Sequence, residues 1–248
     1  MQEAMGMYGA IVIDPAGPDP VAYDREHVIM LADWSFMHPH TQLRKLKAQP
    51  GYFNMQKQTL SGLLAGKDQS ASERRIWAGM RMDPTDISDV TGATYHFMVN
   101  GHDSTANWTG LFAPGERVRL RIINAAAMTN FNVRIPGLAM TVVAADGQNV
   151  QPVETDEFQI GIAETYDVII TIPASGQYEL RATTQDGSGH ASAFFGSGEL
   201  KPASDPPRPN LYQMDEMLNL ALEEQEDDPR ASLRLERPGS PYRLLKST

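Results

Sequence analysis

The stretch Gly110–Val150, GLFAPGERVRLRIINAAAMTNFNVRIPGLAMTVVAADGQNV, decides the fold class. Within it, RVRLRIIN places Val118, Leu120 and Ile122 on one face and Arg117, Arg119 and Arg121 on the other, the period-two pattern of a strand with one face buried. FNVRIPG and AMTVVAADG follow as two more short apolar runs, closed by residues that turn the chain. The same alternation and punctuation continue on both sides. Upstream stand REHVIMLADW from Arg25 and ATYHFMVNG, which ends on the turn pair Asn100-Gly101. Downstream stand DEFQIGI, YDVIITIP and QYELRATTQDG. Strands recurring about every ten residues between Gly, Pro, Asp and Asn predict an antiparallel sandwich or barrel.

Around this array the pattern changes. GAIVI, Gly9–Ile13, is apolar and is stopped by DPAGPDP, so it reads as the last strand of a preceding unit. Between Thr41 and Gly66 apolar residues fall at helical spacing, interrupted by Pro50-Gly51, which predicts a short helix on each side of the break. Residues 67–92 are polar and read as a long loop. ELKPASDPPRPN, from Glu199, is a Pro-rich linker. Beyond it, Leu211, Met214, Met217, Leu218 and Leu222 form an apolar stripe with an acidic end, an amphipathic helix stopping at Pro229. The resulting division is a remnant strand in residues 1–18, a sandwich in 19–198, and a linker with a helical tail in 199–248.

The composition bounds the chemistry. With 248 residues, 41% of them hydrophobic and 21% charged, the chain can bury a real core. Acidic residues outnumber basic ones, 31 to 21, and the basic ones are scattered, so nucleic acid is not expected as a partner. No run approaches the roughly 20 apolar residues that span a bilayer, and MQEAMGMYGAIVIDP lacks the basic and long apolar regions of an export signal. There is no cysteine, which excludes disulfides, zinc–thiolate sites, iron–sulfur clusters and any copper site built on a thiolate.

From Tyr95 to Pro173 the pieces NG…NWTGLF, PGERVRLRIIN, RIPGL, VAADGQNV and ETYDVI, joined upstream by LADW, resemble the second cupredoxin domain of bacterial copper-resistance multicopper oxidases of the CopA type. QEAMGMYGAIVIDP is similar to the last strand of domain one in that family, where a His-Ser-His-Ser copper motif precedes it. The resemblance spans about residues 1–196 and leaves the tail unplaced. It implies an all-β Greek-key cupredoxin-like sandwich with a short helical insert and a C-terminal helical tail. It also implies the copper-free middle part of a periplasmic oxidase that acts on cuprous ion or phenol-like donors and reduces dioxygen to water. Copper would then belong to domains one and three, which are the implied partners, with self-association as the alternative. The chain alone is expected to bind no copper specifically and to be inactive. The resemblance also implies that the paired strands, which carry no catalytic groups, space domains whose histidines converge elsewhere.

The remaining candidates are weak metal ligands. His38-Pro39-His40 is a His-x-His motif whose rings, on an extended chain, would share one side. Its bland reading is a solvated loop. Met37, Met80 and Met82 offer thioethers to copper(I), although methionine also fills cores. His96 and His190 read as structural, and His27 and His102 carry no assigned role. Trp108, inside an Asn-x-Thr acceptor that this bacterial resemblance makes incidental, reads as a packing residue. No Gly-x-Ser-x-Gly elbow or phosphate-cradling loop is present. Two other readings stay open: a non-catalytic copper-binding sandwich using Met37, His38, His40, Met80 and Met82, and an inactive truncated product.

Overall fold

A computed structural model describes residues 2–55, 57–66, 69–80 and 90–204. The predicted helix at 211–228 and Met82 lie outside the described residues. The chain forms β1 (Arg25–Trp34), helices α1 (Pro39–Ala48), α2 (Leu60–Leu64) and α3 (Ala71–Met80), and then an unbroken series of strands. These are β2 (His96–Val99), β3 (His102–Asp103), β4 (Trp108–Gly110), β5 (Arg117–Asn124), β6 (Phe131–Arg134) and β7 (Met140–Ala145). There follow β8 (Gln148–Thr155), β9 (Glu157–Ile160), β10 (Thr165–Thr171), β11 (Gly176–Thr184), β12 (His190–Ser197) and β13 (Leu200–Lys201).

Two sheets result, in the orders β3-β2-β1-β5-β10-β7-β8 and β4-β12-β11-β6-β9, with β13 parallel to the start of β11. The core lies between them. Val118, Leu120 and Ile122 of β5 face Phe131 and Val133 of β6, Leu180 of β11 and Phe195 of β12, all fully excluded from solvent. The alternation in RVRLRIIN therefore selects the inner face, as a period-two side-chain pattern must. Asn100-Gly101 and Asp146-Gly147 carry positive φ at both residues, which makes the tight β2–β3 and β7–β8 hairpins. Asn100 adds a second function. Its Oδ1 accepts from Met30 N at 2.8 Å and its Nδ2 donates to Val28 O at 3.0 Å, pinning the hairpin to β1.

Four expectations change. The arginine face of β5 is solvated at Arg117 but not at its centre: Arg119 is buried, donating to Asp167 Oδ2 and to Asp19 Oδ2 at 2.5 Å each, with the Tyr23 ring 5.4 Å away. The lead-in to β1 covers that face, which a local pattern cannot reveal. Residues 71–80, read as loop, form α3. Ser70-Ala71-Ser72-Glu73 is a capping box in which Glu73 Oε2 accepts from Ser70 N at 2.7 Å and Ser70 Oγ accepts from Glu73 N at 3.4 Å. Gly9–Ile13 forms no strand, and Ile11 and Ile13 are each 84% exposed. An apolar run becomes a strand only where a partner ladder receives it. Finally, the first residues of the Pro-rich segment stay on the sandwich: β13 pairs with Gln177 and Tyr178, and Ala203 is buried.

The helices form an insert between β1 and β2, as the break at Pro50-Gly51 implies, and it is stitched to one end of the sandwich. Thr91 Oγ1 donates to Phe53 O at 2.6 Å, and Gly92 N donates to Ser188 Oγ in the β11–β12 turn at 2.8 Å.

Candidate functional site

His38 is the N-cap of α1, and Pro39 starts the helix with its φ already set. The cap uses the imidazole: His38 Nδ1 accepts from His40 N at 3.2 Å. His40 sits one step into the helix, so the two residues are not on the extended chain that the motif suggests. Their exposed rings nevertheless meet, stacked at 5.3 Å and 15°. Met37 packs against the core rather than presenting its sulfur beside them. Met80 stands exposed at the end of α3, and Met82 is outside the described residues. The structure thus joins His38 and His40.

The other histidines make separate local contacts. His27 lies edge-on between Phe112 at 4.8 Å and Trp108 at 5.6 Å, with Nε2 buried and unpartnered. Burial first, and then the Arg25 guanidinium, push its pKa below the usual imidazole value. Trp108 also meets Phe195 at 6.0 Å, so it packs on the sandwich as read. His96 meets Phe36 edge-on at 5.3 Å, and His102 Nδ1 is 3.0 Å from Asn100 O. His190 opens β12, paired with Thr183.

The most constrained polar groups are carboxylates and a guanidinium that the sequence did not single out. Asp33, near the end of β1, is 3% exposed, and its oxygens accept from Ala127 N at 2.8 Å, Met128 N at 3.1 Å and Thr129 Oγ1 at 2.7 Å. It fixes the loop after β5 against β1. Tyr95 feels it: burial, and then the Asp33 charge, push the phenol well above its usual range. Glu179 of β11 accepts from Arg181 Nε at 2.9 Å, Ser192 Oγ at 2.6 Å and Ala203 N at 2.8 Å. Arg119 joins Asp19 to Asp167, which also receives Arg121 Nη1 at 3.2 Å. The available signal was a lone charge in an apolar run, as in LADW or YELRA. Each of these groups is a tie between segments.

Copper chemistry makes definite demands on donors. A fast one-electron copper site needs a thiolate, and this chain has no cysteine. Among the described residues no three His, Cys, Asp or Glu side chains converge on a point that could hold a metal ion. A stacked His pair with one ring nitrogen engaged in a helix cap does not fit either a thiolate copper centre or a multinuclear cluster.

The comparisons with known proteins give the family. The family model described as multicopper oxidase matches residues 25–198. Copper resistance protein A of Escherichia coli is 49% identical over 223 residues, which is 87% of this chain and 37% of the relative. Its homolog in Pseudomonas syringae pv. tomato is 47% identical over 224 residues, 87% of this chain and 38% of the relative. The share of this chain aligned exceeds the 1–196 over which the motifs are recognisable. Among solved structures, Fet3p, a multicopper oxidase that functions in iron import, is 19% identical with a TM-score of 0.48, covering 79% of this chain and 32% of that one. The chain spans well under half the length of the curated relatives it matches, and it belongs to the multicopper oxidase family.

Proposed function

We propose that this chain is the copper-free middle portion of a copper-resistance multicopper oxidase, whose sandwich spaces the parts that carry the metal. Copper is the family's cofactor; the reading here is that this portion holds none of it specifically. The whole protein would oxidise cuprous ion or phenol-like donors with dioxygen reduced to water, in the periplasm. The carrying observation is the 49% identity to a copper resistance protein of which this chain spans 37%, in a sequence without a single thiolate. Among the described residues no helix is long and apolar enough to cross a membrane. In this reading the chain's own residues do structural work: Asp33 and Arg119 hold the loops and the lead-in at fixed positions, and the insert caps one end. The domain division at residues 18 and 198 belongs to the same proposal.

The test is direct. Purified alone and supplied with copper, the chain is expected to show no thiolate-to-copper charge-transfer band and no oxygen uptake with cuprous ion or a phenolic donor. Copper-dependent oxygen uptake that survives chelator washing and size-exclusion purification would overturn the reading.

The stacking of His38 on His40 favours a second, smaller reading: weak copper binding at that surface, with Met37, Met80 and Met82 as further candidate donors. Copper(I) titration of the chain and of a His38→Ala, His40→Ala variant checks it. A tight stoichiometric site lost in the variant would make the chain a binding module. Equal weak binding in both would remove the site.

A further inference from the structure

Tyr52 stands in solvent with a cation on its hydroxyl. The chain leaves α1 through a turn in which Gln49 N donates to Lys45 O at 2.9 Å and Tyr52 N donates to Gln49 O at 3.0 Å, so Tyr52 folds back over the last turn of the helix. Phe53, its neighbour, is buried in the core, and the Phe53 carbonyl accepts from Thr91 Oγ1 at 2.6 Å. That anchors the backbone on both sides of Tyr52. The Tyr52 ring meets Phe53 edge-on at 4.9 Å, and the residue stays 41% exposed.

Two lysines converge on it. Lys45 Nζ donates to the Tyr52 hydroxyl at 2.5 Å and lies 4.0 Å from the ring centroid. Lys57 Nζ donates to the Tyr52 carbonyl at 3.1 Å and lies 5.9 Å from the same centroid. No Asp or Glu stands in the sequence between Asp33 and Asp68, and neither lysine forms an ion pair among the described residues, so the local chain offers them no other anion. A hydrogen bond from an ammonium strengthens as its acceptor becomes negative. The Lys45 hydrogen bond first, and then the Lys45 charge, hold the Tyr52 phenol below its usual value, with Lys57 acting in the same direction.

The other described tyrosines lack one or more of these conditions. Burial, the largest cause in each case, pushes the phenols of Tyr8, Tyr95 and Tyr166 up. Tyr178 also receives a lysine, Lys201 Nζ at 3.1 Å, but it is 6% exposed and closed to a reagent. Tyr23 is half-buried, with the Arg119 guanidinium 5.4 Å from its ring. An ordinary phenol, with a pKa of about 10, is almost wholly protonated at neutral pH and attacks poorly in that form. A neighbouring cation that favours the phenolate activates such a nucleophile.

We propose that Tyr52 is a nucleophilic phenol, the first of the described tyrosines to be modified by a small activated acyl donor, and that Lys45 is the residue that activates it. In the reaction the Tyr52 oxygen attacks the acyl carbon and an aryl ester C–O bond forms. The bond from that carbon to its leaving group breaks, and the phenolic proton ends on the leaving group; nothing is oxidised or reduced. Lys45 keeps its own proton and acts as a positioning residue through its charge and its hydrogen bond. The site is independent of the copper reading, and neither result bears on the other.

Acylation of the full chain by N-acetylimidazole tests it, with each tyrosine peptide followed over time by mass spectrometry. Hydroxylamine removes an aryl ester and leaves an amide, which separates the label on Tyr52 from one on Lys45. Near neutral pH Tyr52 is expected to acquire a hydroxylamine-sensitive acetyl group before Tyr8, Tyr23, Tyr95, Tyr166 and Tyr178. Lys45→Met is expected to slow it about fivefold, the weight of one unit charge about 4 Å away in water, while Lys45→Arg keeps most of the rate. The difference between the native chain and Lys45→Met should shrink as the pH approaches about 10, where the phenol ionises without help. Circular dichroism and the unfolding midpoint of each variant serve as the folding control. Faster labelling of any other of these tyrosines would overturn the proposal, as would a hydroxylamine-resistant label on Lys45 that forms ahead of the ester. A rate unchanged in Lys45→Met, or a difference that persists undiminished to about pH 10, would equally overturn it, since lost packing alone would not depend on pH.

Discussion

Asp33 is a buried side chain whose two oxygens accept from three donors, none of them, among the described residues, a cation. Removing it would leave two backbone N–H groups and a hydroxyl without acceptors. Asp33→Ala is therefore expected to destabilise the sandwich by about 3 kcal/mol in urea unfolding, against about 1 kcal/mol for Thr129→Val, which deletes one donor and leaves the carboxylate two. Equal losses would mean the carboxylate is not the organising group. His27 gives a pH signature. Its folded pKa is lowered, so the unfolded chain takes up a proton near the ordinary value while the folded chain resists it. Its contribution to stability is full above about pH 6.5 and declines on acidification toward the folded pKa, with a slope capped at about 1.4 kcal/mol per pH unit for one proton. Comparing unfolding free energies of the native chain and His27→Phe between pH 7 and pH 5 checks this; the variant should lose less on acidification.

At the level of elements, the insert meets the sandwich where a side chain has no room. A Cβ on Gly92 would stand 2.5 Å from the Ser188 carbonyl oxygen, in the turn that accepts its own N–H. Gly92→Ala is expected to cost about 2 kcal/mol by displacing backbone against backbone, measured as a shift in the denaturation midpoint at unchanged slope. A neutral result would show that the insert is free to move there. The strands themselves were legible because β5, β10 and β11 each carry an inner row that alternates and an ending that turns. β8 was not: QNVQPVET has one buried residue and a proline, and its strand state comes from pairing with β7. α3 was missed although its capping box, SASE, stands in the sequence, because its face is apolar in only a few positions and Trp77 alone is buried. Arg119 was misread for a reason of another kind. Local alternation reports which face points to the core, and it is silent on whether a distant segment such as Asp19–Tyr23 covers the other. The candidate metal residues fared similarly. The spacing of His38 and His40 was visible, yet the helix that starts between them, and the cap that occupies Nδ1, follow from Pro39 and the chain beyond.

For the whole molecule the boundary we propose lies between residues 18 and 19. Asp19 is locked to Arg119, and although burial works against its charge, the Val21 N–H and the Arg119 guanidinium outweigh that and hold its pKa below the usual carboxylate value. Upstream of it the chain touches the sandwich through Gly6, which packs under the Trp34 ring, and through Tyr8, whose phenol is pushed above the usual range by burial and then by the Asp33 charge, while Ile11 and Ile13 stand in solvent. An unpaired, exposed apolar run is a template for association between molecules. Removal of residues 1–18 is therefore expected to keep the cooperative fold, costing no more than about 1 kcal/mol for the uncovered Trp34, and to lower the tendency to self-associate. Sedimentation velocity across a concentration series, with unfolding curves on the same samples, measures both. The deletion must be contrasted with Arg119→Leu, which leaves residues 1–18 in place but frees Asp19 and strands Asp167 without its main partner; that variant should lose several kcal/mol, since it abandons a buried charge. If instead the deletion abolished folding while Arg119→Leu were tolerated, the sandwich would begin with the upstream segment, and the division at residue 18 would have to be withdrawn.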